Sequence, residues 1–559
     1  MSAAASERQP RGASPGAVLA SLVATAQRRL ARRQRGQRGR LVVASGECGQ
    51  AVGAAEVAAA LRAAVAARRV PLAVVEAGCT GMCYQAVQVT LQRPGAPDLT
   101  WDRVEPGQAT ALVAAVVDTW AAFPPAFAWS AGGVEGVAGL DSVPFLAGQQ
   151  RILLEHAGRM VPADVDEALV RGGYQGLAQA LARPPEAVID EVKRAGLAGR
   201  GGAYFPTGVK WEYCHRAGKS PRYVVVNAEE GEPGLFKDRH LLTAAPHLVV
   251  EGALIAAYAV GAERVFFYVN GQAQLAQERL TAALRQATAR GLLGRAILGS
   301  AFTCAAEVRV GGGGYVLGEE TALLESLEGR RPMPRPRPPH TVEAGLWGCP
   351  TIIDNVETLA CVPFILARGA DWFRQWGTAR FPGTKLLAIS GDIARPGLVE
   401  VAIGTSLRRV LYDLAGGVPN GRALQAVLTE GPSGDLLPPD RLDVPLEPKR
   451  PDVLLGSGNL VALDTTRRLL DVIRRLTRYN AEESCGKCTP CREGVNRMWE
   501  ILERIASGRP RAGDRTNLLY LADIAAAASL CGLGQMAPRP VLSALRYFHL
   551  PELEALPGE

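Results

Sequence analysis

Four cysteines near the C-terminus are the residues best suited to chemistry. Cys485, Cys488 and Cys491 stand in Glu483–Gly494 (ESCGKCTPCREG) at C-x2-C-x2-C spacing, and Cys531 follows in Ser529–Gly534 (SLCGLG). Three thiolates so close together, with Gly486 and Pro490 among them, suit a tight turn whose sulfurs meet at one metal centre. A remote fourth thiol closes four-ligand coordination. No paired C-x2-C returns and no His follows at finger spacing, so zinc, or plain buried cysteines, accounts for the pattern less well than a [4Fe-4S] cluster.

A second thiol set lies upstream. Cys79 and Cys83 form C-x3-C, and with Cys48 they make three ligands of a [2Fe-2S]-type site. In a four-Cys arrangement the missing ligand would stand at Val43, which cannot bind iron. The expectation is a vestigial domain kept for packing; a non-Cys fourth ligand, or another metal or redox use, are the alternatives.

Glycine-rich loops supply the other candidate site. In Gly196–Trp211 (GLAGRGGAYFPTGVKW), Gly196, Gly199, Gly201 and Gly202 leave backbone N–H groups bare for phosphate, while Arg200 and Lys210 bring positive charge. The loop is neither G-x-G-x-x-G nor a P-loop. The strand Pro221–Asn227 runs into Asn227–Gly234 (NAEEGEPG), whose Glu229, Glu230 and Glu232 suit hydrogen bonding to ribitol, ribose or nicotinamide; a solvated acidic loop is the simpler alternative. Gly311–Gly314 precedes Tyr315, and Glu319 and Glu320 open a helix where the dipole favours carboxylates. Arg330–Pro339 (RRPMPRPRPP) is an extended basic segment.

The positioning elements follow from periodicity and punctuation. Strands at Leu41–Ala44 and Pro71–Glu76 with a helix over Ala54–Ala67 predict a small α/β domain reaching about Ala121, followed by a Pro/Gly/Ala-rich linker. Gly172 and Gly173 split Val165–Ala182 into two short helices. A helix over Pro246–Val260 and strands Arg264–Asn270 and Val308–Val310 continue an α/β pattern. Gly383–Gly417 opens a small α+β domain, and helices at Asp464–Tyr479, Gly494–Ser507, Leu518–Ser529 and Pro540–Phe548 place the cluster thiols at the ends of a bundle.

The 559 residues call for several domains. Eleven cysteines at this length are no secreted disulfide scaffold, which predicts a reducing, cytoplasmic setting. Of the net charge of +7, the first 40 residues carry +8 (nine Arg against Glu7), so the basicity belongs to an N-terminal arm. That arm reads as a solvated tail, with an acidic partner, RNA or a membrane surface as alternatives. No uncharged apolar run reaches a span's length, since Glu251 breaks Leu248–Val260.

Taken in order, these motifs, with GGGGYVLGEETALLESLEGRR and GCPTIIDNVETLA, resemble the FMN- and NADH-binding flavoprotein subunits of respiratory complex I and of NAD-linked soluble formate dehydrogenases and hydrogenases. The resemblance covers Phe145 to Leu550. Residues 41–121 resemble the thioredoxin-like [2Fe-2S] domain of complex I's small flavoprotein partner. The fold implied is multidomain α/β: a basic arm (1–40), a thioredoxin-like domain (41–121), a linker (122–144), a Rossmann-like FMN/NAD domain (145–375), a β-grasp domain (376–450) and a helical [4Fe-4S] domain (451–559).

By that resemblance, the FMN contacts fall on Gly199, Arg200, Gly201, Gly202, Lys210, Asn227, Glu230, Tyr315, Gly318, Glu319 and Asn355, with Glu229 and Asp354 beside them. The NAD(H) contacts fall on Phe205, Tyr213, Glu232, Glu320, Arg337 and His340. Tyr204 stands where the family has Gly, Glu229 where it has Asp, and Asp354 where it has Asn. Tyr213 and His340 replace Phe, and Arg337 replaces Lys; these changes bring NADP(H) into consideration as well as NAD(H). The implied activity is a diaphorase that splits hydride chemistry at a flavin into single electrons for a cluster. Implied partners are a catalytic redox subunit with further iron–sulfur clusters and a separate small [2Fe-2S] subunit, with no nucleic acid and no membrane insertion. The alternatives are a complex I flavoprotein subunit, or a divergent electron-conducting scaffold without hydride transfer.

Overall fold

The computed structural model describes residues 13–118, 127–131, 139, 142–448, 450 and 455–554. Residues 1–12 of the expected arm and much of the expected linker lie outside them. Three sheets organise the chain. The first comprises β1 (Gly39–Ala44), β2 (Leu72–Ala77), β3 (Val89–Gln92), β4 (Asp98–Trp101) and β5 (Phe127–Ala131), in the order β2-β1-β3-β4-β5. Only β1 and β2 pair in parallel, joined through the helix Ala54–Ala67. The expected linker therefore contains a strand: β5 pairs antiparallel with β4 and extends this domain beyond residue 121.

The central sheet is wholly parallel, in the order β8-β7-β6-β9, with β6 Tyr223–Ala228, β7 Arg264–Asn270, β8 Ala305–Gly311 and β9 Thr351–Asn355. Val224, Val225 and Val226 are all fully buried, as a parallel strand covered on both faces requires. In such sheets ligands sit beyond the carboxyl ends of the strands. There Asn227 of β6 lies opposite Asn355 of β9.

The third sheet is β11-β10-β14-β12-β13, from β10 (Thr384–Gly391), β11 (Gly397–Ala402), β12 (Leu424–Thr429), β13 (Leu436–Leu437) and β14 (Asn459–Asp464). The expected boundary at 450 cuts through it, because β14 is its middle strand, parallel to β10. Helices Leu469–Glu482, Asn496–Ala506, Asp514–Ala528 and Arg539–Tyr547 form the terminal bundle around Ile473, Met498, Leu502, Leu518 and Val541.

The N-terminal arm corrects the solvated-tail expectation. Pro15–Arg33 is a helix capped by Ser14, and Val18, Leu19 and Ala26 enter the central core. Part of its charge meets acids of the central domain: Arg33 pairs with Asp164 (2.5 Å) and Asp166 (2.8 Å), and Arg40 pairs with Glu167. Net charge located the basicity, but only the Val18–Leu22–Ala26 face says that the segment docks.

Glycines do split the next segment, into helices Val165–Val170 and Gln175–Leu181. Glu251, which interrupts the apolar helix Pro246–Val260, accepts the otherwise orphaned N–H groups of Tyr174 (2.6 Å) and Leu177 (3.0 Å) at the start of the second. Burial pushes its carboxyl up to about 7, against the pull of those N–H groups. A raised carboxyl favours the fold while it is protonated in both states. That contribution is lost as pH rises from the ordinary value near 4.5 through about 7. Glu251→Gln should flatten this part of the stability profile by about 3 kcal/mol. Urea midpoints of both proteins at pH 5 and pH 8 check it; equal slopes would remove Glu251 from the account. Among the described residues, no single helix is long and apolar enough to cross a membrane.

Candidate flavin, dinucleotide and cluster site

A cleft of about 1570 Å³ opens at the carboxyl ends of β6 and β9. One wall is the Gly199–Phe205 loop, a second is Arg335–Ala344, and the far end is closed by Leu530–Gln535. Lys210 forms its charged floor. The ammonium meets Glu320 (3.1 Å) and Asp354 (3.2 Å) and donates to the Ile353 carbonyl (2.7 Å). Burial alone would pull Lys210 down, yet Glu320 and Asp354 outweigh it and hold the ammonium above its ordinary value. Trp211 Nε1 fixes the other oxygen of Asp354 (2.7 Å). Glu319 caps the helix Glu320–Leu327, accepting from Thr321 and Ala322, and receives Arg337 at 2.6 Å.

The donor set fits a flavin nucleotide. Bare backbone at Gly199 and Gly201 and a fixed ammonium face one space that Asn227 and Asn355 also line, their amides held by Gly318 and by Asp238 and Lys237, and Phe205 and Tyr213 stand exposed at its edge. Glycine-bare backbone and a cation suit phosphate, and the rings suit stacking.

A second, small cavity adjoins the cleft. Cys485, Cys488, Cys491 and Cys531 line it with Val316, Leu530 and Leu533. Cys485 follows the first bundle helix, Cys488 and Cys491 flank the start of a wide π-helical turn, and Cys531 follows the third helix. Four thiols converging on one cavity are the donor set of an iron–sulfur centre. The motif is tied to the rest of the site: Glu483 accepts the Tyr315 N–H (2.7 Å) and Lys487 donates to the Pro334 carbonyl (2.6 Å). Cys531 and Leu530 line both cavities, so the thiol pocket and the cleft share a wall.

Residues 192–364 match the family model described as the Nuo51 FMN-binding domain, and residues 471–555 match that of the NADH-ubiquinone oxidoreductase-F iron-sulfur binding region. The NADP-reducing hydrogenase subunit HndC of Solidesulfovibrio fructosivorans is 43% identical over 403 residues, covering 72% of this chain and 82% of that protein. This chain belongs to the complex I FMN-binding flavoprotein family. An NADH-quinone oxidoreductase subunit of Mycobacterium tuberculosis is 46% identical over 383 residues, covering 67% of this chain and 86% of the relative. The crystal structure of an NAD+-reducing [NiFe]-hydrogenase in the H2-reduced state superposes with a TM-score of 0.64 at 31% identity, over 97% of this chain and 92% of that one. The chain is thus an NAD(P)-linked diaphorase subunit with FMN and iron–sulfur regions, a part of a multi-subunit oxidoreductase.

Within this flavoprotein the sequence-derived residues divide. Gly199, Gly201, Lys210, Asn227, Gly318, Glu319, Asp354 and Asn355 line the cleft, as do Phe205, Tyr213, Glu320, Arg337 and His340. The others lie behind its walls. Arg200 is fully buried, and its guanidinium donates to the Ala198 (3.2 Å) and Pro382 (2.8 Å) carbonyls rather than facing the cleft. Glu230 caps the helix Lys237–Ala244 through the N–H groups of Asp238 and Arg239, and burial lifts its carboxyl to about 7. Glu232 accepts from Ser457 (2.6 Å) and Asn459 (2.9 Å), and Tyr315 bonds Ser433 (2.6 Å); both are turned to the third sheet and its loops. Burial also raises Glu229, beside Gly313 and Gly314, to about 7. Gly202, at φ 112°, turns toward Glu430.

Tyr204 adopts a left-handed φ of 51°, where the family's glycine would be unstrained. Its hydroxyl donates to the Gly456 carbonyl (2.8 Å) and its ring stands edge-on to Phe381, so the bulk is absorbed into the wall. Arg216, Lys219 and Gln535 also line the cleft, although no motif marks them. Arg216 is legible as the basic end of the helix Thr207–Arg216 and Lys219 stands just after it; Gln535 joins only through tertiary structure.

Proposed function

We propose that this chain is the dinucleotide-facing subunit of a soluble, cytoplasmic complex, taking electrons from NAD(H) at FMN in the cleft and passing them to a [4Fe-4S] cluster on Cys485, Cys488, Cys491 and Cys531. The shared Cys531 wall between cleft and thiol pocket carries this reading. When bound, the flavin supplies the exchange between two-electron hydride chemistry and single electrons.

The chain's own residues do the rest. Lys210 with the glycine backbone holds the phosphate end, Asn227 and Asn355 orient the ring system, and Phe205, Tyr213 and His340 stack the dinucleotide. Glu320, held below the ordinary carboxylate range by Lys210 and Arg337 despite burial, stays ionised to receive dinucleotide hydroxyls. NADP(H) is the second reading, favoured by Arg216 and Lys219 on the cleft lining. The partner is a catalytic redox subunit with further clusters, joined by a small [2Fe-2S] subunit.

Lys210→Met leaves Glu320 and Asp354 facing each other without a cation. FMN affinity should fall at least about tenfold, since each lost charge-assisted contact is worth roughly 1.5–3 kcal/mol. Equilibrium dialysis of bound flavin reads this; unchanged retention would move the phosphate site elsewhere. Bleaching of the visible flavin band by NADH and by NADPH, on the anaerobically purified complex, tests the whole reading and separates the two dinucleotides. No bleaching by either leaves the scaffold alternative.

A further inference from the structure

Cys48, Cys79 and Cys83 take no part in the path just described, yet their sulfurs lie within 4.8 Å of one another, with Cys48 and Cys83 at 3.2 Å. All three are free thiols. Cys48 sits on the short helix Glu47–Ala51 after β1, and the other two lie on the loop that follows β2. That loop is pressed onto the central and third-sheet regions at two glycines. A Cβ on Gly78 would collide with Ala244, and one on Gly81, at φ 96°, would collide with the Leu398 carbonyl; Leu398 N–H donates back to Gly81 (2.9 Å). The contact brings the helix Lys237–Ala244 over the thiols, and with it His240.

His240 lines the same cavity of about 330 Å³ as the three cysteines. It is only 6% exposed, and its Nε2 has no hydrogen-bond partner among the described residues. A buried ring nitrogen left unpaired on the cavity that three converging thiols line, though outside their 4.8 Å group, needs an explanation. Coordination to a cation supplies one.

We propose that Cys48, Cys79, Cys83 and His240 form a four-coordinate Cys3His site for a single thiophilic divalent cation of the zinc class, stapling the N-terminal domain to the central one. A two-iron cluster fits less well. It would divide four thiol ligands between two irons, but these three sulfurs gather on one point. Val43, at the position of the missing ligand, is fully buried within its own domain core.

Binding converts three thiols to thiolates and releases three protons, leaving the site one negative charge. Positive groups surround it. Arg151 donates to the Thr80 carbonyl (2.9 Å), Arg279 to those of Ser45 and Thr243 (both 2.6 Å), and Arg239 pairs with Glu47 (3.4 Å), the one carboxylate on the cavity lining.

The test uses the full chain, purified anaerobically with its partner subunits. Metal analysis should find about one zinc per chain besides the cluster iron. Zinc-edge X-ray absorption should show three sulfurs at roughly 2.3 Å and one imidazole nitrogen near 2.0 Å. Cys79→Ser should lower zinc at least twofold. His240→Cys should retain zinc and turn the spectrum into four-sulfur coordination, a change that misfolding would not produce. Three results would overturn the proposal: no zinc in a chain that carries flavin and cluster, iron with labile sulfide at these thiols instead, or an unchanged zinc spectrum in His240→Cys. None of them touches the flavin reading, which fails on bleaching instead.

Discussion

Serine at position 531 should cut electron delivery from NAD(P)H to the partner subunit by more than about 100-fold, while nicotinamide still bleaches the flavin at a rate within about threefold of the parent. The two activities separate because Cys531 is the proposed ligand that borders the cleft, whereas the floor built on Lys210 lies on the other domain. Loss of an outer partner of a metal ligand already costs about 10–100-fold in metal affinity or activity, and a ligand itself costs more. The measurement pairs stopped-flow flavin bleaching with the low-temperature EPR signal of the reduced cluster. Cys361→Ser is the control, a thiol buried in the central core away from both cavities. Undiminished partner reduction in Cys531→Ser would mean that electrons leave the flavin by another route.

The same four thiols show how far the sequence reaches. C-x2-C-x2-C with a distant fourth Cys is a local pattern, and the helices Leu469–Glu482, Asn496–Ala506 and Arg539–Tyr547 have strong apolar periodicity, so the thiol set and most of its elements were legible. The cleft was legible in its glycines and in Lys210, Asn227 and Asn355, which all sit at strand ends or helix starts. What sequence could not assign was the direction a side chain takes. Arg200, Glu230 and Glu232 have the chemistry of ligands, yet each is consumed by a neighbour far along the chain or by a helix end that needs a cap. Strand β14 escaped for a related reason: its partner β10 is some 70 residues earlier, and only pairing shows that it belongs to the third sheet. His240 stands six residues beyond the Asn227–Gly234 loop, and nothing local marks it as sharing a cavity with three thiols of another domain.

Behind the cleft floor, Glu357→Gln should destabilise the protein by about 3–5 kcal/mol, the usual cost of removing one partner from a buried charge group. Glu357 is fully buried between two ammoniums. It accepts Lys385 Nζ (2.5 Å) and the Leu386 N–H (2.8 Å) and lies 3.2 Å from Lys237 Nζ. Lys237 in turn meets Asp238 (2.7 Å) and Asn355 (3.1 Å), a cleft residue. Three elements meet at this one carboxylate: the helix Val356–Arg368, the helix Lys237–Ala244 and β10. Burial already pulls Lys385 down to about 8, with Glu357 the main force opposing it. Without that carboxylate the lysine should shed its proton, leaving a neutral amine and an amide where an ion pair joined the central domain to the third sheet. The lysines also hold Glu357 below its ordinary range despite burial, so its contribution is present above that range and lost as pH falls through the folded value. Urea unfolding of both proteins, followed by flavin release, should show the midpoint shift. The double variant Glu357→Leu/Lys385→Leu should recover at least half of the loss, because apolar replacement of a buried pair is often close to neutral. A single Gln variant within about 1 kcal/mol of the parent would show that the ion pair is not what joins the two layers.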